Sequence, residues 1–337
     1  MSTPRVYVIH ENPEWFPPLA AAFEAEGVPV EEILLTEGQI DLAAEPAPGV
    51  YWSRMSASSH TRGHEHSKEY TRAILGWLER AGRQVVGGSH VLELEVSKVA
   101  QHGLLQQAGF DVPRTTAVFG TATLKDAART FTDGQDVPFI TKHNQGGKGL
   151  GVRRFDSLAE FDAYVDSPEF EAPVDGITLL QEYLTAREPF ITRVEFVGGE
   201  FVYAVRVDTS AGSFELCPAD ACEVPQATWD QHSAGAVCDV PGTEAVGAPP
   251  AFAVRTEITA EHPLVQQLRT FLADQRITIA GVEFMETTDG RTVVYDINTN
   301  TNYNPAVEES APASGPRSIA KYLGGLLAAE YAAQLTA

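Results

Sequence analysis

Two short apolar runs near the C-terminus constrain this chain more than any other feature. Ala280-Gly281-Val282-Glu283-Phe284 and Val293-Val294-Tyr295-Asp296-Ile297-Asn298 flank Thr287-Thr288-Asp289-Gly290, and turn residues between two strand-like runs predict a β-hairpin. Side chains alternate faces along a strand, so Asp296 and Asn298 share one face and Glu283 can lie opposite them. A buried carboxylate without a partner is costly, yet Glu283 and Asp296 interrupt apolar strands. Three converging oxygen donors suit Mg²⁺, which takes oxygen ligands and completes its shell with water and substrate phosphates; Mn²⁺ is the alternative ion. An exposed polar hairpin face is the competing reading.

A metal of this kind calls for a phosphate-binding element, and Phe139-Ile140-Thr141-Lys142-His143-Asn144-Gln145-Gly146-Gly147-Lys148-Gly149-Leu150-Gly151-Val152 has the composition of one. An apolar strand ends in Lys142, a glycine-rich loop follows, and residues 152–155 read as the returning strand. Gly146, Gly147, Gly149 and Gly151 carry no Cβ, so backbone N–H groups can approach an anion, while Lys142 and Lys148 add positive charge. The segment is no Walker loop, since no Gly-Lys-Ser/Thr follows, and no dinucleotide fingerprint, since a strand comes next instead of a helix. A flexible hairpin is the plain alternative.

The first ninety residues alternate short apolar strands (6–9, 28–34, 49–52, 84–86) with helices (17–26, 67–81), which predicts a small α/β domain with a parallel, Rossmann-like sheet. Ligands bind beyond the carboxyl ends of such strands, where the loop 53–66 begins. Its Arg54, Arg62 and His60 suit a carboxylate-bearing substrate. A histidine-rich metal loop through His60, His64 and His66, or a solvated loop, are the alternatives. Further on, 91–108 reads as one amphipathic helix ended by Gly109, 114–119 as a strand, 124–131, 158–165 and 263–273 as helices, and 316–331 as a closing helix.

At this point the order of the pieces matters. Glu95-Val96-Ser97-Lys98, then residues 104–113, the Lys142 strand with its glycine loop, Leu179-Leu180-Gln181-Glu182-Tyr183-Leu184, the hairpin 193–206 and the Glu283/Asp296/Asn298 set follow one another in a sequence that resembles the ATP-grasp superfamily, in particular its RimK-like carboxylate–amine ligases. The resemblance spans roughly residues 90–330. It implies an ATP-grasp fold in three parts: an N-terminal α/β domain at 1–90, a central subdomain with the glycine-rich loop at 91–180, and a C-terminal subdomain with the metal and substrate site at 181–337. It further implies that Lys98 and Lys142 reach the phosphates of ATP, that the backbone of Gln181, Glu182, Tyr183 and Leu184 reads the adenine edge, and that Glu188 holds the ribose hydroxyls. Lys68 and Lys321 are expected to lie apart from that site.

The activity so implied is an ATP-dependent ligation, in which a carboxylate is activated as an acyl phosphate and an amine displaces the phosphate. Such a reaction needs positioning and charge neutralisation more than a protein nucleophile. Arg206 is expected to stabilise the transferred phosphoryl group, Arg193 to bind a substrate carboxylate, and Asn300, in the run Asn298-Thr299-Asn300-Thr301-Asn302-Tyr303-Asn304-Pro305, to line the acceptor pocket. A surface salt bridge for Arg193 and a turn-rich loop for the asparagines are the alternatives. Two other classes stay open: a small-molecule kinase of the same architecture acting on a hydroxyl, and an ATP-binding regulatory protein without turnover.

Composition narrows the partners. The net charge of −22, from 46 acidic against 24 basic residues, opposes nucleic-acid binding and leaves small carboxylate and amine substrates as the expected partners. No apolar run of about 18 residues exists to span a membrane, and no secretory signal precedes residues 6–9, so a cytoplasmic protein is expected, with a homodimer compatible. Cys217, Cys222 and Cys238, an odd number, fit a reducing compartment; with His232 they match no tight zinc-site spacing, and 206–222 reads as a substrate-facing insertion.

Overall fold

A computed structural model describes residues 3–147, 149, 151–210 and 250–335. Cys217, Cys222, Cys238 and His232 lie outside the described residues, as does most of the expected insertion. Three sheets form the framework. The first is parallel, in the order β2-β1-β3-β4, with β1 (Arg5–His10), β2 (Val30–Leu34), β3 (Gly49–Ser53) and β4 (Gln84–Val86). Every residue of β3 is buried, because helices cover both faces: α1 (Pro17–Ala25) on one and α2 (Ser67–Arg80) on the other.

The second sheet, order β5-β8-β6-β7, is antiparallel and consists of β5 (Thr115–Phe119), β6 (Phe139–His143), β7 (Arg153–Phe155) and β8 (Ile177–Glu182). Its inner face packs Phe139 and Phe155 on Phe131 of α5 (Leu124–Phe131) and Phe161 of α6 (Leu158–Asp166). Its other face is left for the cleft.

The third sheet, order β11-β10-β9-β12-β13, holds β9 (Phe190–Val197), β10 (Glu200–Asp208), β11 (Phe252–Val254), β12 (Ile279–Glu286) and β13 (Thr292–Asn298). Val194, Phe196, Val282, Phe284, Val294 and Ile297 share one face and pack on Leu105 of α4 (Lys98–Gln107) and on Leu268 and Leu272 of α7 (Pro263–Asp274). Alternation therefore sends Arg193, Glu195, Glu283, Asp296 and Asn298 to the opposite face.

The expected single helix over 91–108 is two. α3 (Ser89–Glu95) stops before Ser97, which takes extended angles (φ −140°, ψ 102°) and caps α4, its Oγ accepting from Ala100 N at 3.2 Å. Lys98 thereby becomes the first residue of a new helix. Gly109 closes α4 at φ +85°, a conformation that favours glycine, with Phe110 N bonded to Leu105 O at 3.1 Å. A short helix, α8 (Pro305–Ser310), also interrupts what the asparagine-rich run suggests is loop, because Asn304 Oδ1 caps it through Ala306 N and Val307 N.

Packing crosses the expected divisions. α9 (Gly315–Leu335) lays Ile319, Leu323, Leu327 and Tyr331 against Val6, Val8, Phe23, Val50 and Trp52, so the end of the chain completes the core of the first sheet. No helix among the described residues is long and apolar enough to cross a membrane.

Candidate active site

A cleft of about 300 Å³ opens where the three sheets meet. β12 and β13 pair as the sequence predicts, with Glu283 opposite Asp296 and Gly281 opposite Asn298. β13 is an edge strand, and α4 covers that edge: Gln101 Nε2 donates to Ile297 O at 2.8 Å and its Oε1 accepts from Ile297 N at 3.1 Å. The same helix delivers Lys98, whose Nζ bonds Asp296 Oδ1. Glu283 Oε1 accepts from Asn298 Nδ2 at 3.2 Å and from Arg193 Nη1 at 3.5 Å. Arg193 Nε in turn donates to Glu195 Oε1 at 2.6 Å. The guanidinium lies over Gly281, where an added Cβ would come within 2.4 Å of Nε, so this glycine is what lets the arginine lie flat on the sheet.

These charges set one another. Burial pushes the Glu283 carboxyl up, reinforced by the neighbouring Asp296. Burial also opposes ionisation of Asp296, but Lys98 and Lys142 outweigh it and hold that carboxyl below its ordinary range. For Lys98 burial disfavours the charge, yet Asp296 prevails and its pKa rises. Lys142, in β6, falls to about 8 through burial and then repulsion from Lys98. The site thus holds a cation whose charge wants an anion nearby. His102, lowered to about 4 by burial and then by Lys142, stays neutral beneath it.

Gly146, Gly147 and Gly149 line the cleft; Gly151 does not, and its φ of +73° together with the His143 ring, 2.9 Å from where a Cβ would stand, makes it a shape requirement of the loop. Lys148 lies outside the described residues. Gln181, Glu182, Tyr183 and Leu184 line the far end with Ile140, Val152 and Met285. The Glu182 side chain is occupied, accepting from Arg114 N at 2.9 Å and Arg291 Nη1 at 3.1 Å.

Several expected residues are not brought in. Glu188 is exposed and outside the cleft, because Ala186 bridges Thr287 and Arg187 N bonds Glu286 O at 2.8 Å, turning the following loop to solvent. Arg206 does not share a face with Arg193. A bulge between Phe201 and Tyr203 shifts the register so that Arg193 pairs with Val205, and Arg206 lies on the reverse side over Phe190 and beside Asp208. Arg54 is 2 % exposed, and its guanidinium is already used: Nη2 donates to Thr301 O at 2.7 Å and to Asn302 Oδ1 at 3.0 Å, and the group sits over Trp52. Arg62 is paired with Glu11 and stacked on Trp15, and His60 stands outside the cleft wall. Arg54 is thus engaged by the 301–302 segment and Arg62 by Glu11, pairings between distant residues that sequence cannot show. Lys68 does not line the cleft, as the sequence expects, but it is 4 % exposed and bonded through Nζ to Gln145 in the glycine loop.

The wall they build consists of Trp15, Ser56, Ala57 and Ser58, facing Arg193, Asn300 and Asn302. Asn300 lines the cleft, its Oδ1 buried without a partner. Two lining residues escaped the sequence reading. Glu95 accepts from Thr299 N and Oγ1, each at 2.8 Å, and from Ala57 N at 3.4 Å; a carboxylate among Val91, Leu92, Leu94 and Val96 was its signal. Tyr295 is the other, which strict alternation with Asp296 would place on the opposite face.

Among the described residues no three His, Cys, Asp or Glu side chains gather as a metal cage. Two carboxylates and an amide beside two lysines fit a different arrangement, a divalent cation shared with phosphate oxygens. No protein-family model matches the sequence, and no curated protein matches it. Solved structures do match in fold. A D-cycloserine synthetase, DcsG, superposes with a TM-score of 0.63 at 15 % identity over 96 % of this chain and 99 % of its own. A RimK domain ATP-grasp protein from Sphaerobacter thermophilus gives 0.62 at 16 % over 94 % and 98 %, and the ATP-grasp ligase PsnB, complexed with minimal precursor, Mg and ADP, gives 0.61 at 15 % over 99 % and 99 %. At such identities the likeness establishes the fold: the chain has the ATP-grasp architecture that its sequence resembles.

Proposed function

We propose that the protein is an ATP-dependent ligase that joins a carboxylate to an amine through an acyl phosphate, releasing ADP and phosphate. The observation that carries this reading is the convergence, in one cleft, of Lys98, Lys142, the glycine loop, the 181–184 segment and the Glu283/Asp296/Asn298 set from separate elements of an ATP-grasp fold. ATP would lie with its base against Ile140, Val152, Tyr183, Leu184 and Met285. Its phosphates would run toward the two lysines. Glu283, Asp296 and Asn298 would hold Mg²⁺, which when bound supplies charge neutralisation at the terminal phosphates.

In the first half of the reaction a carboxylate oxygen attacks the γ-phosphorus and ADP leaves; in the second the amine attacks the acyl carbon and phosphate leaves. Lys98, Lys142 and the glycine-loop N–H groups balance the charge that gathers on phosphate oxygens. Arg193, fixed by Glu195 and Gly281, places its guanidinium where the acyl end would sit, between Ser56–Ser58 and Asn300. No side chain needs to become covalently bound.

The test is ADP release from the purified protein supplied with panels of acids and amines, with hydroxylamine as a general trap for an activated acyl group. The reading predicts Mg²⁺-dependent ADP that requires both an acid and an amine, with the acid converted to its hydroxamate when hydroxylamine is the amine. A phosphorylated alcohol formed without amine would make the protein a kinase instead, and nucleotide binding with no ADP from any pair would make it a non-catalytic binder.

A further inference from the structure

Tyr295 occupies an unusual place in β13. Glu283 pairs with Asp296 but Phe284 pairs with Val294, so Tyr295 is the extra residue of a β-bulge. Strict alternation would send Tyr295 away from Asp296, to the face that packs on α4 and α7. The bulge instead lets two consecutive side chains, Tyr295 and Asp296, line the same cleft. Once there, Tyr295 has two partners. Its hydroxyl stands next to the Glu283 carboxylate and favours its ionised form, and the Lys142 ammonium lies over its ring, 5.5 Å from the centre. Tyr295 also neighbours Asp296, which pairs with Lys98 of α4, so charges of both signs lie beside it.

We propose that Tyr295 is a positioning residue that sets two separate parts of the site at once, orienting the Glu283 carboxylate through its hydroxyl and the Lys142 ammonium through its ring. The inference rests on the nucleotide and metal reading given above. A carboxylate that is to share a cation needs a fixed rotamer, and partners outside the metal shell that fix one are worth about 10- to 100-fold in metal affinity. An ammonium over an aromatic face gains about 1 kcal/mol, a factor of about five, when partly desolvated. The two contributions belong to different atoms of one side chain and can be separated by substitution.

The experiment is calorimetric titration of ADP with and without Mg²⁺ on the full chain, for the native protein, Tyr295→Phe and Tyr295→Leu, with thermal melts alongside. Tyr295→Phe keeps the ring and loses the hydroxyl: metal-free ADP affinity is expected to stay within about twofold, while the gain on adding Mg²⁺ shrinks by about tenfold. Tyr295→Leu loses both, so metal-free affinity is expected to fall by about fivefold as well. If Tyr295→Phe alters metal-free and Mg²⁺ affinities by one common factor, or neither, the division of labour is overturned. If the native protein binds ADP no better with Mg²⁺ than without, the metal assignment fails and this role for Tyr295 fails with it.

Discussion

Lys142 illustrates how burial and one neighbour set the titration of a single residue. Burial and then Lys98 lower its pKa to about 8 from the ordinary 10.5. Between those values the unfolded chain binds the extra proton, so burying Lys142 costs stability at neutral pH and that cost lifts as pH rises through about 8. Phosphates beside the ammonium would restore its charge. Nucleotide binding at pH 8.5 is therefore expected to take up a substantial fraction of one proton, and affinity to fall as pH rises past 8. Calorimetry in buffers of different ionisation enthalpy at pH 6.5 and 8.5 reads the uptake directly; none at 8.5 would show that phosphate does not reach Lys142. Arg193 poses the opposite case, a cation already paired with buried acids. Glu195 is 2 % exposed, so Arg193→Leu strands a carboxylate and is expected to cost about 3 kcal/mol or more, whereas Arg193→Leu combined with Glu195→Leu should regain most of the melting temperature and stay inactive. An unchanged melt in the single variant would contradict the buried pair.

At the level of elements, the start of α4 decides where Lys98 stands. Ser97 Oγ caps Ala100 N, Asn144 Oδ1 accepts from Val99 N at 2.9 Å, and Asn144 O accepts from Lys98 N at 3.3 Å, so the end of β6, which carries Lys142, is tied to the helix that carries Lys98. Ser157 caps α6 in the same way through Glu160 N at 3.2 Å, outside the cleft. Ser97→Ala and Ser157→Ala should each lose about 1 kcal/mol of stability, but only the former should raise the KM for ATP. Equal kinetics in the two variants would sever the link between the cap and the site. Local sequence does not announce this break, since a serine inside an apolar periodic run reads as a residue on the polar face. Strands and turns were more legible: that Asp296 and Asn298 share a face follows from alternation, and the Gly198-Gly199 turn sets the hairpin of β9 and β10. What alternation cannot register is a bulge. One extra residue sent Arg206 to the wrong face of its strand and brought Tyr295 to the right one, because each bulge is decided by packing between strands and not by local composition.

In the whole molecule, the parallel N-terminal sheet does more than stand beside the cleft; its loops form one wall and grip the other two sheets. Glu95 links Ala57 to Thr299, Arg54 holds the backbone of Thr301 and the side chain of Asn302, Ser58 lies against Gly147, and Lys68 bonds Gln145. All four contacts join residues far apart in sequence, which is why charge and loop composition suggested direct substrate ligands where the fold has built struts. Lys68 gives the sharpest test. Read from sequence it should behave as Lys321 does, a solvated helix lysine, and Lys321 is indeed largely exposed, 3.9 Å from Glu26. In the structure Lys68 holds the glycine loop from the N-terminal side, and a charge-assisted hydrogen bond of that kind is worth about 1 kcal/mol or more, or about fivefold. Lys68→Met, which keeps the length of the side chain but removes its donor, should therefore raise the KM for ATP about fivefold with a folded protein by thermal melt, while Lys321→Ala leaves it unchanged. If both variants titrate ATP like the native protein, the bond between the layers contributes nothing to holding the loop, and the N-terminal wall acts on the acid substrate alone.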